Sequence, residues 1–410
     1  MEAASGFPPS YLAFLKENHI DPRIYDLHKE LPRYVRILRF GERAAADVDA
    51  LTQQIAADAG CAVSAVGGVP GFLRIDDQSV KLRELRAHAS GDIVGMDVSS
   101  GIAALALSVQ PGHNVLDLCC APGAKLLHVA ELLTTGLATD TQHGTVTGVD
   151  VSPHRLATCR SLIKKHAGRN RGFVRLYAQD GTAFASAAPR ARWWDPEAVR
   201  AAGPCFEAAQ PRLEAARPWF APRLLSTGYA CSGHERYDRV LVDAECTHDG
   251  SLAHVQKYER WGWQLLDAQV VNDERPLTVP ALQSRLLENG WRLLRPGGVL
   301  VYSTCSLSRF QNEYVLAGFL ARHAEDEARV EPIPLALDRI GVSPAWAPAD
   351  AGEWRGLESH RALFARMQNA VRLDPRVSNT SGMFIARIAK LRDAQAAFTL
   401  AEVGPLRPDN

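Results

Sequence analysis

The sequence predicts an α/β fold, a mostly parallel sheet with helices on both faces, preceded by a small α+β unit. Three observations predict it. From about Val115 onward, short β-branched runs alternate with helical stretches, the rhythm of a doubly wound sheet. Those runs are almost wholly apolar, as strands buried on both faces are. The first ninety or so residues keep a different rhythm, with polar residues gathering where it ends.

The expected strands of the sheet, in order, lie over 115–118, 146–150, 173–177, 239–243 and 298–302, with helices over 125–133 and 279–294 among the segments between them. Ligands of such sheets bind outside the carboxyl ends of the strands, so the residues just past each run matter most. Ahead of them, the pattern suggests helices over 11–17 and 44–57 and strands over 34–38 and 71–75. The boundary falls near Ala87 to Gly91. This gives an N-terminal α+β domain over 1–90, an α/β domain over 91–395 and a tail over 396–410. Two stretches, about 185–235 and 332–374, break the rhythm and read as surface insertions. The first carries Trp193, Trp194 and Trp219 among arginines, a composition that also suits stacking on unpaired bases.

At 410 residues the chain exceeds what one core usually serves. It has no apolar run of membrane-spanning length, and its first residues lack the basic and apolar regions of a secretion signal. Early Glu2 and Glu17 disfavour a mitochondrial presequence. Eight scattered cysteines read as reduced thiols. None forms a Cys-x-x-Cys pair, so no metal site is expected. An intracellular protein follows, with cytosol, nucleus and mitochondrion all compatible. The formal net charge is +0, so a nucleic-acid partner would need a local basic surface.

The first strand runs into a tight turn, Asp117-Leu118-Cys119-Cys120-Ala121-Pro122-Gly123-Ala124-Lys125, and then a helix. Small residues let the backbone approach a ligand closely, and Pro122 stiffens the turn. The Gly-x-Gly-x-x-Gly of dinucleotide dehydrogenases is missing. Asp150 ends the second strand, where a carboxylate accepts from a ribose diol, and Asp180 follows the third, placed for an adenine amino group. The same aspartates also suit helix N-caps. Turn and aspartates together fit S-adenosylmethionine. The candidate cofactor contacts are Cys119, Cys120, Ala121, Pro122, Gly123, Ala124, Lys125, Asp150, Arg155, Asp180 and Asp243.

Two further strands end in a cysteine, as Asp243-Ala244-Glu245-Cys246 and Tyr302-Ser303-Thr304-Cys305-Ser306. A lone free cysteine is usually a small buried hydrophobe, but two at equivalent strand ends of one sheet are hard to ascribe to packing. Carbon 5 of cytosine is too weak a nucleophile to take a methyl group from a sulfonium. A thiolate adding to carbon 6 makes carbon 5 an enamine carbon that can.

With these motifs the sequence resembles the Nol/Nop/Sun family of RNA cytosine-5 methyltransferases. Arg295-Pro296-Gly297-Gly298, Gln311-Asn312-Glu313 and 381–386 add to the resemblance, which covers about residues 90 to 392. It implies a Rossmann-like class I methyltransferase sheet behind an RRM-like N-terminal domain. It also implies S-adenosylmethionine as cofactor, and tRNA or rRNA as partner. By the same resemblance Cys305 attacks carbon 6, Cys246 assists release, and Lys125 and Asp243 lie beside the target base. One departure is Glu245, where the family has Pro. A carboxylate there would raise the Cys246 pKa or act as a proton acceptor. His248, in the unusual stretch Thr247-His248-Asp249-Gly250, either shuttles the carbon-5 proton or is a surface-loop residue.

Between Asp150 and Asp180, Arg155, Arg160, Lys164, Lys165, Arg169, Arg171 and Arg175 run without an acidic residue, and read as a phosphate-binding face. A DNA cytosine-5 methyltransferase would leave Cys305 unexplained. A non-catalytic, cofactor-binding assembly factor would have no use for either thiol, though Glu245 keeps that alternative open.

Overall fold

The structure is a computed structural model that describes residues 6–134, 144–168, 173–189, 218–221, 236–271, 275–340, 343–344 and 358–393. Most of the expected insertion at 185–235, part of that at 332–374, the tail, Trp193, Trp194, Arg169 and Arg171 lie outside the described residues.

Strands β1 (Arg33–Ile37), β2 (Val63–Ala65), β3 (Phe72–Ile75) and β4 (Ile93–Gly95) form an antiparallel sheet in the order β2-β3-β1-β4. Strand alternation gives it two apolar faces. Val35, Ile37, Leu73 and Ile75 pack against Leu51 and Ile55 of the helix Ala45–Ala59. Tyr34, Phe72 and Val94 join the core of the larger sheet instead. Arg36, on that second face, makes a buried ion pair with Glu131 on the helix Ala124–Leu132.

The expected boundary at residue 90 cuts this sheet, because β4 pairs with β1 beyond it. Three residues are too few to show a strand period. The segment before β1 also departs from the 1–90 grouping. Phe7, Tyr11, Phe14 and Tyr25 share a core with Leu252, Val255, Tyr258 and Leu266.

The main sheet contains β5 (Asn114–Asp117), β6 (Thr145–Asp150), β7 (Val174–Ala178), β8 (Tyr237–Asp243), β9 (Leu294–Thr304), β10 (Ala328–Glu331), β11 (Ser343–Pro344), β12 (Val371–Leu373) and β13 (Met383–Lys390). Its order is β11-β12-β13-β9-β8-β5-β6-β7, with β10 beside β13. Strands β9, β8, β5, β6 and β7 run parallel, and β13 is antiparallel to β9. This is the Rossmann-like arrangement with helices on both faces. Helices Ala124–Leu132 and Pro153–His166 cover one face, and Arg275–Leu293 and Glu313–Arg322 the other. Each fully buried Leu or Phe here contributes roughly 1.5–3 kcal/mol. Chain order reverses between β5 and β8, the switch point where such sheets bind ligands.

Arg175 lies inside this core rather than on a basic face. It is fully buried and donates to Thr147 Oγ1 (2.6 Å), Tyr177 Oη (3.0 Å), Tyr237 Oη (2.8 Å) and the Ala187 carbonyl (2.7 Å). Alternation along β7 turns it inward. Among the described residues, no helix is long and apolar enough to cross a membrane.

Candidate active site

A cleft of about 520 Å³ opens at the carboxyl ends of β5, β6 and β8. The turn after β5 forms its floor. Asp117 ends that strand fully buried, and its Oδ1 accepts from the Cys119 N–H at 3.3 Å. Burial, then repulsion from Asp243, pushes its pKa up to about 8.

Cys119, Ala121, Pro122 and Lys125 line the cleft. Cys120, Gly123 and Ala124, expected as cofactor contacts, are not among its lining residues. Successive side chains at the strand end point in opposite directions, which sends the Cys120 thiol into the core against Gly148 and Cys159. Gly123 has φ 108° and caps the helix Ala124–Leu132. A Cβ there would meet Cys159 Sγ at 2.7 Å, so the position takes glycine for both conformation and space.

Asp150 and Asp180 both reach the cleft. Asp150 Oδ1 accepts from the Ser152 N–H at 2.9 Å, and its Oδ2 sits 3.4 Å from the Arg155 guanidinium. Arg155 also donates to the Ala121 carbonyl at 2.7 Å, bracing the turn against β6. Asp180 Oδ1 accepts from the Thr182 N–H and Oγ1, both at 2.8 Å. Asp97, Ser99, Ser100 and Ser381 complete one wall, with Asp97 Oδ2 accepting from Ser381 Oγ at 2.9 Å. The sequence reading missed the first three, which carry no motif. Ser381 belongs to the 381–386 motif, which carried no role for it.

Lys125 Nζ donates to Asp243 Oδ2 at 2.7 Å and to Ser100 Oγ at 3.0 Å. Ser303 Oγ donates to Asp243 Oδ1 at 2.7 Å. Burial works against the Lys125 charge, but the Asp243 carboxylate more than offsets it and holds the ammonium above its ordinary range.

The two cysteines meet. Cys246 Sγ lies 3.3 Å from Cys305 Sγ, and His248 Nδ1 is 2.9 Å from Cys305 and 3.6 Å from Cys246. The hydrogen bond with Cys246, and then burial, push the Cys305 thiol up, while His248 pulls it down. These soft donors are of the kind zinc takes, so the missing Cys-x-x-Cys pairs do not by themselves exclude a metal. The two shortest separations are hydrogen-bonding ones, below the roughly 3.6 Å between donors around tetrahedral zinc. Glu245 also lines the cleft. It is half exposed, with its carboxylate 3.3 Å from Arg275 and its carbonyl accepting from Gln283 Nε2 at 2.7 Å.

Several unforeseen residues hold the pair together. Buried Asp249 accepts from Ser306 Oγ and the Leu307 N–H, both at 2.7 Å. Gln311 accepts from the Thr247 N–H at 3.0 Å, and Asn312 from Thr304 Oγ1 at 2.5 Å. The Gly250 N–H donates to the Cys305 carbonyl at 2.9 Å, and Tyr25 Oη donates to the Asp249 carbonyl at 2.9 Å. The motif Gln311-Asn312-Glu313 was legible, but its function as a clamp on the Thr-Cys-Ser turn was not.

Residues 225–389 match the family model described as 16S rRNA methyltransferase RsmB/F. Ribosomal RNA small subunit methyltransferase B of Xylella fastidiosa is 30% identical over 320 residues, covering 76% of this chain and 58% of that protein. The multisite-specific tRNA:(cytosine-C(5))-methyltransferase of Saccharomyces cerevisiae is 27% identical over 331 residues, covering 76% and 41%. The chain thus spans about half the length of these curated relatives. The crystal structure of NSun6 from Pyrococcus horikoshii with SFG shares the fold, with a TM-score of 0.61 at 17% identity, covering 94% of this chain and 99% of that one. Sheet order, paired cysteines and these matches converge on a likeness to RsmB/F-type RNA methyltransferases, carried by residues 225–389 and by curated relatives of which the chain spans about half.

Proposed function

We propose that the protein methylates carbon 5 of a cytosine in RNA, with Cys305 as the covalent nucleophile. The observation that carries this is the meeting of the two strand-end thiols, 3.3 Å apart, beside the cleft that holds Asp150 and Asp180. The donor set fits S-adenosylmethionine. Asp150 suits the ribose diol, Asp180 the adenine amino group, and the Cys119–Pro122 turn a close backbone approach. The relative solved with SFG, an S-adenosylmethionine analogue, supports the same choice. When bound, that cofactor supplies an electrophilic methyl group.

The chain's own residues do the rest. Cys305 adds to carbon 6 and thereby makes carbon 5 nucleophilic. Asp243, held by Lys125 and Ser303, stabilises charge developing at N3 and N4 of the ring. Cys246 assists release of the product. The relatives include both rRNA and tRNA enzymes, and these are the substrate classes we propose. The N-terminal sheet serves as an RNA-binding-type unit. Arg160, whose guanidinium lies 4.9 Å over the Trp219 ring, forms a basic edge with Lys164 and Lys165, and the compartment is an intracellular one where such RNA is modified.

The test is incorporation of tritiated methyl groups from S-adenosylmethionine into total RNA, with nucleoside mass spectrometry. Formation of 5-methylcytidine that Cys305→Ser abolishes supports the reading. Unchanged formation in Cys305→Ser overturns it, and S-adenosylmethionine binding with no transfer to RNA favours the assembly-factor alternative.

A further inference from the structure

A thiol that hydrogen-bonding and burial push above its ordinary range needs a proton acceptor before it can attack carbon 6. The nearest nitrogen is His248 Nδ1, 2.9 Å from Cys305 Sγ. His248 has φ 57°, in the left-handed region, where a non-glycine residue stays only when its surroundings over-determine it. They do so from both sides. Asp249, the next residue, is anchored to Ser306 and Leu307, and Gly250 donates to the carbonyl of Cys305 itself. The loop after β8 is thus stitched to the loop after β9, and the imidazole is held at a fixed reach from the sulfur.

The geometry points to His248 as the base that takes the Cys305 proton, forming a thiolate–imidazolium pair at the moment of attack. This rests on the reading of Cys305 as the nucleophile. The S–H bond breaks, the proton passes to Nδ1, and sulfur keeps the electron pair that becomes the bond to carbon 6. The displaced ring electrons spread over carbon 5, carbon 4 and N3. At elimination the pair returns to sulfur, which recovers its proton from the imidazolium, while the carbon-5 proton leaves separately to solvent.

The charges around the ring suit this role. The Cys305 hydrogen bond raises the imidazole pKa most, burial opposes it, and Asp249 and Glu245 add to the rise. His254 faces it from the following helix, with ring centroids 5.6 Å apart. Lys125 acts on Cys305 from the other side. From the sequence, His248 was either a shuttle for the carbon-5 proton or a surface-loop residue; its contact with Cys305 was not legible.

The test reads the acidity of Cys305 without RNA. Iodoacetamide alkylation of the Cys305 peptide is followed by mass spectrometry from pH 5.5 to 10 in the wild type, His248→Ala and His248→Asn. Asn tolerates the left-handed conformation and reaches as far as Nδ1, so it keeps the fold and the hydrogen bond but accepts no proton. We expect both variants to alkylate about tenfold more slowly at pH 7, with the profile displaced to higher pH. A wild-type profile in either variant overturns the proposal. Should both lose reactivity while Cys305→Ser still makes 5-methylcytidine, the acid–base pair stands and the nucleophile reading fails, so the two remain separable.

Discussion

Lys125 Nζ lies 2.7 Å from Asp243 Oδ2, joining the turn after β5 to the end of β8 across the middle of the cleft. Only 13% of the lysine side chain and 25% of the aspartate are exposed, so each charge depends on the other. Removing one partner of a buried pair leaves the other uncompensated. Asp243→Ala should therefore lower methyl transfer by about 10²-fold or more, and Lys125→Ala should do the same through loss of the carboxylate's position. Steady-state kinetics should show the loss mainly in kcat. A loss confined to KM would make the pair a binding element only.

Asp117 is a buried acid with its pKa pushed up to about 8. Its folded-state pKa lies above the unfolded value, so the folded chain holds a proton that the unfolded chain releases. The stability this brings is fully present below the ordinary carboxyl pKa of about 4 and is lost as pH rises through about 8. Asp117→Asn keeps a neutral group there at every pH. Its melting temperature should fall less than that of the wild type between pH 5 and 9. Parallel curves would contradict the assignment.

Gly250 is pinched between two backbones. A Cβ there would meet the Cys305 carbonyl oxygen at 2.7 Å and the Gly382 carbonyl oxygen at 2.9 Å. Neither can yield like a side chain. Gly250→Ala should displace the Cys305 turn and cut activity about 10²-fold, the cost of an ångström-scale misplacement of a reacting group, while S-adenosylmethionine affinity measured by calorimetry stays near the wild-type value. Equal losses of both would indicate general unfolding.

Arg175 separates structural from RNA-facing cations. Arg175→Met leaves four acceptors in the core without their donor and should cost about 3 kcal/mol or more, read in urea unfolding. Arg160→Glu and Lys164→Glu should leave unfolding nearly unchanged and weaken RNA binding, with a shallower salt dependence. A stable Arg175→Met protein with weakened RNA binding would restore this residue to the basic face.

The parallel half of the fold was legible because strands buried on both faces are written as continuous apolar runs. Val146 and Val149 are as fully buried as such a run requires. β13 was visible only as a motif, since its antiparallel pairing with β9 leaves no signal in its own residues. The site divides the same way. Asp150, Asp180, Cys246 and Cys305 could be singled out because each lies at or just past the end of a strand. The roles of Asp249, Asn312 and Tyr25 could not, because their work lies in hydrogen bonds between segments 57, 8 and 224 residues apart. The inward turn of the Cys120 thiol and of Arg175 went unread for a single reason, that a motif or charge count does not say which way a side chain points.

The proposed function stands or falls on a covalent bond between Cys305 and carbon 6 of cytosine. Its most direct measurement is recovery of protein–RNA adducts from cells expressing Cys246→Ala, followed by sequencing of the trapped RNA. A strong adduct at a defined cytosine is expected, absent from the Cys246→Ala, Cys305→Ala double variant. An adduct that persists without Cys305, or none while S-adenosylmethionine still binds, would contradict it.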